Sequence, residues 1–208
     1  MNNDWLKRWN DRYGHTDYAY GKEPNVFFSE TLKKIPKGSI LCPAEGEGRN
    51  AVYAASLGWN TNAYDISKEG KIKALQLAKS NNVSIDYQVG ELSQIQYTAN
   101  QFDVIALIYA HFPAEIRSNT HKYLNTYLRQ GGLIIFEAFS KDHLQYNSKN
   151  PNVGGPKDLA NLFSIEEIKS DFNNYEFDYL EEVEVDLNEG KYHVGEGKVI
   201  RFIAKKTS

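Results

Sequence analysis

Apolar residues recur along this chain with two alternating periods, and the alternation predicts an architecture. Ser39-Ile40-Leu41-Cys42 is a short apolar run ended by Pro43 and the glycines of GEG, as a buried strand would be. Ala51, Ala54, Ala55 and Leu57 follow at helical spacing, and Gly58 closes that helix. Residues 61–64 predict a second strand, Ser67 caps a helix carrying Ile72, Leu75 and Ala78, and residues 85–89 predict a third strand. Residues 102–109 are apolar on both faces, as a central parallel strand must be. Ile116, Tyr123, Leu124, Tyr127 and Leu128 mark another helix, which Gly131-Gly132 is expected to stop before a fifth strand over 133–136. Ser164 and Glu167 then form a capping-box pattern ahead of Ile168 and Phe172. Tyr179, Val183, Val185 and Leu187 share one parity, and residues 199–204 form a further strand. Gly190, Gly195 and Gly197 lie between them, which predicts an antiparallel hairpin with a long tip. Five strand–helix alternations and a hairpin predict an open α/β sheet with helices on both faces.

Ligands of such sheets bind outside the carboxyl ends of the strands, at the switch point beside strand one. The residues there are Ala44-Glu45-Gly46-Glu47-Gly48-Arg49-Asn50. Gly46 and Gly48 let the backbone turn sharply before the helix begins. Strand two ends in Asp65, whose carboxylate is placed to accept both hydroxyls of a ribose, and strand three ends in Gly90-Glu91, a second acid able to accept from an adenine amino group. Ile66 and Leu92, beside these acids, complete the expected cofactor pocket. The simpler alternatives are a plain strand-to-helix turn for the glycines, a helix cap for Asp65 and a solvated loop acid for Glu91. Glu47 and Arg49 are expected to be exposed residues at a helix start. A dinucleotide would set its pyrophosphate on that start, but Glu45 and Glu47 flank the turn and would repel it. S-adenosylmethionine carries a sulfonium cation and no phosphate, so the acidic turn favours it.

Composition narrows the setting. The chain has 208 residues, a length that suits one domain, and its net charge of −3 lacks the basic footprint of a dedicated nucleic-acid binder. One cysteine excludes an internal disulfide framework, and Cys42 is expected to be a buried strand residue, not a nucleophile. The longest apolar run, residues 104–110, is far short of the roughly 20 residues of a membrane span. MNNDWLKRWNDRY has no apolar leader segment, so a cytoplasmic protein acting on a small molecule is expected, without nucleic-acid or membrane partners and as a monomer or weak homo-oligomer. The five histidines are too scattered for a metal site, and no metal is expected.

ILCPAEGEGRNAVYAASLGWNTNAYDIS resembles motifs I and II of class I S-adenosylmethionine-dependent methyltransferases. WNDRY, YGKEPN, AHFPAEIR, FEAF and EGKYHVGEGKVIRFIAKK are similar to a small bacterial branch that includes tellurite-resistance and thiopurine methyltransferases. The resemblance implies a Rossmann-like, seven-stranded, mostly parallel sheet whose last strand runs antiparallel between the fifth and sixth. It implies a single domain over 1–208, with an N-terminal helical lid over 1–35 and a core over 36–208. Two departures stand out. The family usually places an acid and a first glycine where this chain has Cys42 and Ala44.

Methyl transfer is an in-line displacement at carbon, to which the protein contributes alignment and exclusion of water. A base is required only if the acceptor carries a proton, so thiolates and metalloid oxyanions would need none. His111, just past strand four, is the candidate base; the alternative is a structural histidine bonded to a loop carbonyl. Tyr109 is placed at the cofactor. Trp5, Leu6, Trp9 and Tyr13 form one apolar helix face. Trp9, Tyr13, Tyr20 and Asn25, with His193 from the hairpin tip, are the candidate acceptor residues, and the loop over 140–162 is a second source of contacts. Two other function classes are a NAD-dependent oxidoreductase and a non-catalytic S-adenosylmethionine-binding protein. The first is weakened by the acidic turn and by the lack of a Tyr-x-x-x-Lys pair near strand five.

Overall fold

The computed structural model describes residues 3–207. Met1 and Asn2 of the predicted lid segment, and Ser208, lie outside the described residues. Seven strands form one sheet: β1 (Ser39–Pro43), β2 (Asn60–Asp65), β3 (Asp86–Val89), β4 (Phe102–Ile108), β5 (Leu128–Phe139), β6 (Tyr175–Glu189) and β7 (His193–Lys206), in the order β3-β2-β1-β4-β5-β7-β6. The first five are parallel, and β7 is antiparallel to both β5 and β6. The helices are α1 (Asn3–Tyr13), α2 (Val26–Leu32), α3 (Arg49–Ser56), α4 (Lys68–Ser80), α5 (Ala114–Tyr127), α6 (Leu144–Lys149) and α7 (Ile165–Asp171). No helix among the described residues is long and apolar enough to cross a membrane.

Strand side chains alternate between faces, so neighbouring residues enter opposite layers. Leu41, Ile105, Leu107 and Phe136 pack with Leu124 of α5 and Ile168 of α7. Ile40, Cys42, Val104, Ala106 and Ile135 pack with Phe28 of α2, Ala51 and Ala54 of α3, and Ala74 of α4. Both faces of the central strands are therefore dry, which explains their continuous apolar runs. The chain winds outward from β1 to β3 and crosses back to β4 on the other side of β1. That reversal parts the connections leaving β1 and β4 and opens a crevice above their carboxyl ends.

Three expectations are corrected. Gly131-Gly132 does not stop a helix: α5 ends at Tyr127 and β5 runs through both glycines. The register with β4 shifts between Phe102 and Val104, and a Cβ on Gly132 would meet Leu128 at 2.7 Å, so the pair serves an irregularity within the strand. The hairpin tip is short, residues 190–192, because Gly195 and Gly197 belong to β7. A Cβ on Gly195 would come within 2.8 Å of the Asn150 amide and one on Gly197 within 3.0 Å of Leu187, so these glycines admit side chains packed against the strand. Leu6 is exposed, whereas Trp5, Trp9 and Tyr13 turn inward.

Candidate active site

A cavity of about 1060 Å³ occupies the crevice, walled by the ends of β1 to β4, by α1, by the loop after β5 and by the hairpin tip. Its floor begins at the turn after β1. Ala44 sits at φ +52°, a left-handed conformation that disfavours a residue with a Cβ, at the position where the motif usually has glycine. The two glycines beyond it do structural work. The Gly46 N–H donates to Asp65 Oδ2 at 3.0 Å, and a Cβ there would meet the Tyr13 hydroxyl at 2.5 Å. Gly48, at φ +89°, lies so close to α4 that a Cβ would meet that of Ala74 at 2.6 Å. Glu45 accepts the N–H groups of Asn50 and Ala51 at 2.8 Å each, at the start of α3. Burial nevertheless raises its carboxyl to about 7, opposed by these backbone donors and by Arg49.

Asp65 is buried at the end of β2, and burial raises its carboxyl to about 6 against the pull of backbone donors. Oδ2 takes the Gly46 N–H and Oδ1 takes the Ser67 N–H at 2.8 Å. Ser67 itself caps α4 by accepting the Gly70 N–H. Each carboxylate oxygen retains acceptor capacity, which suits the paired hydroxyls of a ribose. Glu91 caps the turn after β3 in a reciprocal box with Gln94 and lines the cavity beside Leu92. Tyr109 is held at φ +51° at the end of β4. Its buried phenol, close to Glu137, lacks a hydrogen-bond partner of good geometry.

Ala44, Asn50, Asp65, Ile66, Glu91, Leu92 and Tyr109 thus line the cavity, while Gly46 and Gly48 shape the turn without lining it. Trp9, Tyr13, Tyr20 and His193 line the opposite part. Asn25 does not: it is buried one layer back, where its side chain caps α2 by accepting the Phe28 N–H and donates to Glu137 at 2.7 Å. His111 lines the cavity, yet its Nδ1–H donates to the Asn161 carbonyl at 3.0 Å and its Nε2 accepts the Phe139 N–H at 3.4 Å. Burial lowers its pKa to about 3. A ring with both nitrogens occupied is the structural histidine of the alternative reading, and it does not serve as a base. Cys42 is fully buried and its thiol is raised by desolvation.

Glu47 and Arg49 are not exposed. Glu47 pairs with Lys73 of α4 at 2.6 Å and accepts the Ala19 N–H at 2.7 Å, while Arg49 pairs with Glu189 of the hairpin at 3.0 Å. Their partners lie 26 and 140 residues away, so no local pattern announces them. Arg8 and Arg12 were also missed. Arg12 donates to the Tyr20 hydroxyl at 2.6 Å and lies 4.3 Å over the Tyr192 ring. The loop over 140–162 is ordered by short helical turns and contributes Gly154, Gly155, Pro156 and Asn161 to the wall.

Residues 41–136 match a family model described as a methyltransferase domain. No curated protein matches the chain by sequence. Several solved structures share its fold. One, from work on the conversion of a disulfide bond into a thioacetal group during echinomycin biosynthesis, has a TM-score of 0.78 at 12% identity, covering 98% of this chain and 92% of its own. TehB from Haemophilus influenzae has a TM-score of 0.69 at 18% identity, covering 97% of this chain and 67% of its own. The magnesium protoporphyrin IX methyltransferase of Synechocystis PCC 6803, with bound SAH, has a TM-score of 0.66 at 15% identity over 99% of this chain and 96% of its own. Together, the match from β1 to β5, the strand order and the acid-lined crevice identify a class I S-adenosylmethionine-dependent methyltransferase domain.

Proposed function

We propose that this protein transfers a methyl group from S-adenosylmethionine to a small-molecule acceptor by in-line displacement. The observation that carries the reading is Asp65: a buried carboxylate at the end of β2, ordered by two backbone N–H groups and facing the cavity. When bound, the cofactor supplies a methyl group made electrophilic by its sulfonium. Asp65 would hold the ribose and Glu91 the adenine amino group, with Ile66 and Leu92 beside the ring. Asn50 and Tyr109 would flank the methionine end. Trp9, Tyr13, Tyr20 and His193 would shape the acceptor side, and the segment over 1–35 would act as its lid. Thiols and metalloid oxyanions are the acceptors suggested by the small bacterial branch, a placement supported by the likeness to TehB across 97% of this chain. A cytoplasmic protein with no nucleic-acid or membrane partner, monomeric or weakly associated, fits the reading.

Calorimetric titration tests it. S-adenosylmethionine and S-adenosylhomocysteine should bind and NAD should not, and label from the methyl group should appear on an acceptor from a panel of thiols, oxyanions, phenols and amines. NAD binding alone would replace methyl transfer by hydride chemistry, and binding without turnover would favour a sensor.

Glu45 gives a second expectation. Its ionised form attracts the sulfonium but not the neutral thioether of S-adenosylhomocysteine, whereas contacts to the shared adenosine cancel in a ratio of affinities. The preference for S-adenosylmethionine should therefore rise as pH increases through about 7, where Glu45 ionises. A change of about tenfold corresponds to ~1.4 kcal/mol. Glu45→Gln should flatten the profile; an equally steep profile in that variant would assign the effect to another group.

A further inference from the structure

The chain has five histidines, and the ring nitrogens of the four that sit within the fold separate them. His111 has both nitrogens on backbone groups. So does His143, whose Nε2–H donates to the Gly154 carbonyl at 3.1 Å while Nδ1 accepts the Lys198 N–H at 3.2 Å. His121 meets Asp171 through Nδ1 at 2.7 Å, but its Nε2 is sealed among aromatic rings without a partner. His193 differs from all three. Its Nδ1 lies 2.9 Å from Glu189 Oε2, and a carboxylate oxygen only accepts, so Nδ1 carries the hydrogen and Nε2 the lone pair. Among the described residues Nε2 has no hydrogen-bond partner and is not sealed, and the ring lines the cavity.

Glu189 is held from three directions. Besides His193 it takes Arg49 at 3.0 Å and the Asn25 amide at 3.3 Å. This network gives Asn25 and Arg49 a task that neither has at the cavity wall: they fix the carboxylate that fixes the imidazole. The ring is flanked by Tyr20 at 4.6 Å, Tyr109 at 4.5 Å and Phe139 at 5.1 Å between centroids. Flat aromatic walls favour a planar acceptor.

We propose that His193, oriented by Glu189, is the general base that removes the proton of an aromatic hydroxyl as its oxygen is methylated. The inference rests on the methyl-transfer reading above. The acceptor O–H bond breaks and the proton passes to Nε2. The electron pair left on oxygen forms the bond to the methyl carbon and expels the neutral thioether. One positive charge is lost from sulfur and one appears on the imidazole, so charge balances within the cavity. A phenol with a pKa of about 10 needs such a base at neutral pH, whereas a thiol near ~8.5 is already partly ionised and an oxyanion needs none. The surrounding charges are mixed. Glu189 and Glu137 favour the imidazolium, while Arg49 opposes it. His111 and His143 also face the ring, and both are neutral because burial lowers their pKa. The phenols of Tyr20 and Tyr109 stay protonated, raised by desolvation. Burial also holds His193 below its ordinary value, against the pull of Glu189, so the free imidazole is ready at neutral pH.

The test compares wild type with His193→Gln and Glu189→Gln on simple phenols and on thiophenols that are ionised at the assay pH. His193→Gln should lose about 100-fold or more in kcat on phenols, but less than tenfold on thiophenolates, and should bind S-adenosylmethionine within twofold of wild type by calorimetry. The rise of kcat with pH on phenols should disappear in that variant. Nitrogen NMR of the free protein should show His193 as the Nδ1–H tautomer alone, and Glu189→Gln should mix the two tautomers. Equal losses on both acceptor types would overturn the proposal. So would an Nε2–H tautomer in the free wild type, or no phenol methylation by wild type with the cofactor bound. Wild type that binds no S-adenosylmethionine would instead remove the methyl-transfer reading, and the proposal with it.

Discussion

Asp65→Ala should weaken binding of S-adenosylmethionine and S-adenosylhomocysteine alike, by about 100-fold. Hydrogen bonds to a charged acceptor contribute roughly 1.5–3 kcal/mol each, and losing two that share one carboxylate comes to about 2.7 kcal/mol. Equal loss for both ligands is the diagnostic part, because both carry the ribose and only one carries the sulfonium. Calorimetry on folded protein measures it, with circular dichroism to confirm the fold. A loss confined to S-adenosylmethionine would move Asp65 from the ribose to the cation, and unchanged affinity would remove it from the cofactor altogether.

The wild type carries its own control. Ribose hydroxyls bind the ionised carboxylate best, and burial has raised the Asp65 carboxyl to about 6. Affinity for both ligands should therefore hold at neutral pH and fall as pH drops through about 6. In Asp65→Ala that decline should vanish. The same substitution also leaves the Gly46 and Ser67 N–H groups without their acceptor, so it should lower stability as well as affinity.

This site was legible because its parts are local. The glycine turn, Asp65 and Glu91 each terminate a strand whose apolar run reads directly from the sequence, and parallel pairing brings the three ends together. The residues that lock the site were not legible. Glu47, Arg49 and Asn25 find their partners on α4, β5 and the hairpin tip, across stretches of chain that carry no shared pattern. Glycine misled twice for one physical reason. Gly132 and Gly197 look like chain breakers, but each sits in a strand where a side chain packs too closely to admit a Cβ. The histidines taught the converse. Position alone made His111 the candidate base, whereas the partner on Nδ1 decides which ring nitrogen stays free, and that favours His193.

Lys73→Met should cost about 3 kcal/mol of stability and lower Tm by roughly 6–12 °C. Methionine keeps most of the aliphatic stem, so the loss isolates the charge. The Lys73 ammonium is nearly enclosed, 2.6 Å from Glu47 and 2.6 Å from the Asp17 carbonyl, and Glu47 is only 5% exposed. Removing the lysine strands a buried carboxylate, which is far more costly than removing a solvated ion pair. The effect should extend to the cavity, because Glu47 also accepts the Ala19 N–H and so anchors the segment carrying Tyr20 beside His193. Adding Glu47→Gln removes the stranded charge, so the double variant should recover part of the stability lost in Lys73→Met. Urea unfolding of the four proteins in that cycle measures the coupling. A single-variant loss below about 1 kcal/mol would mean that water screens the pair as it does on a surface, and that the lid segment is held by its aromatic contacts instead.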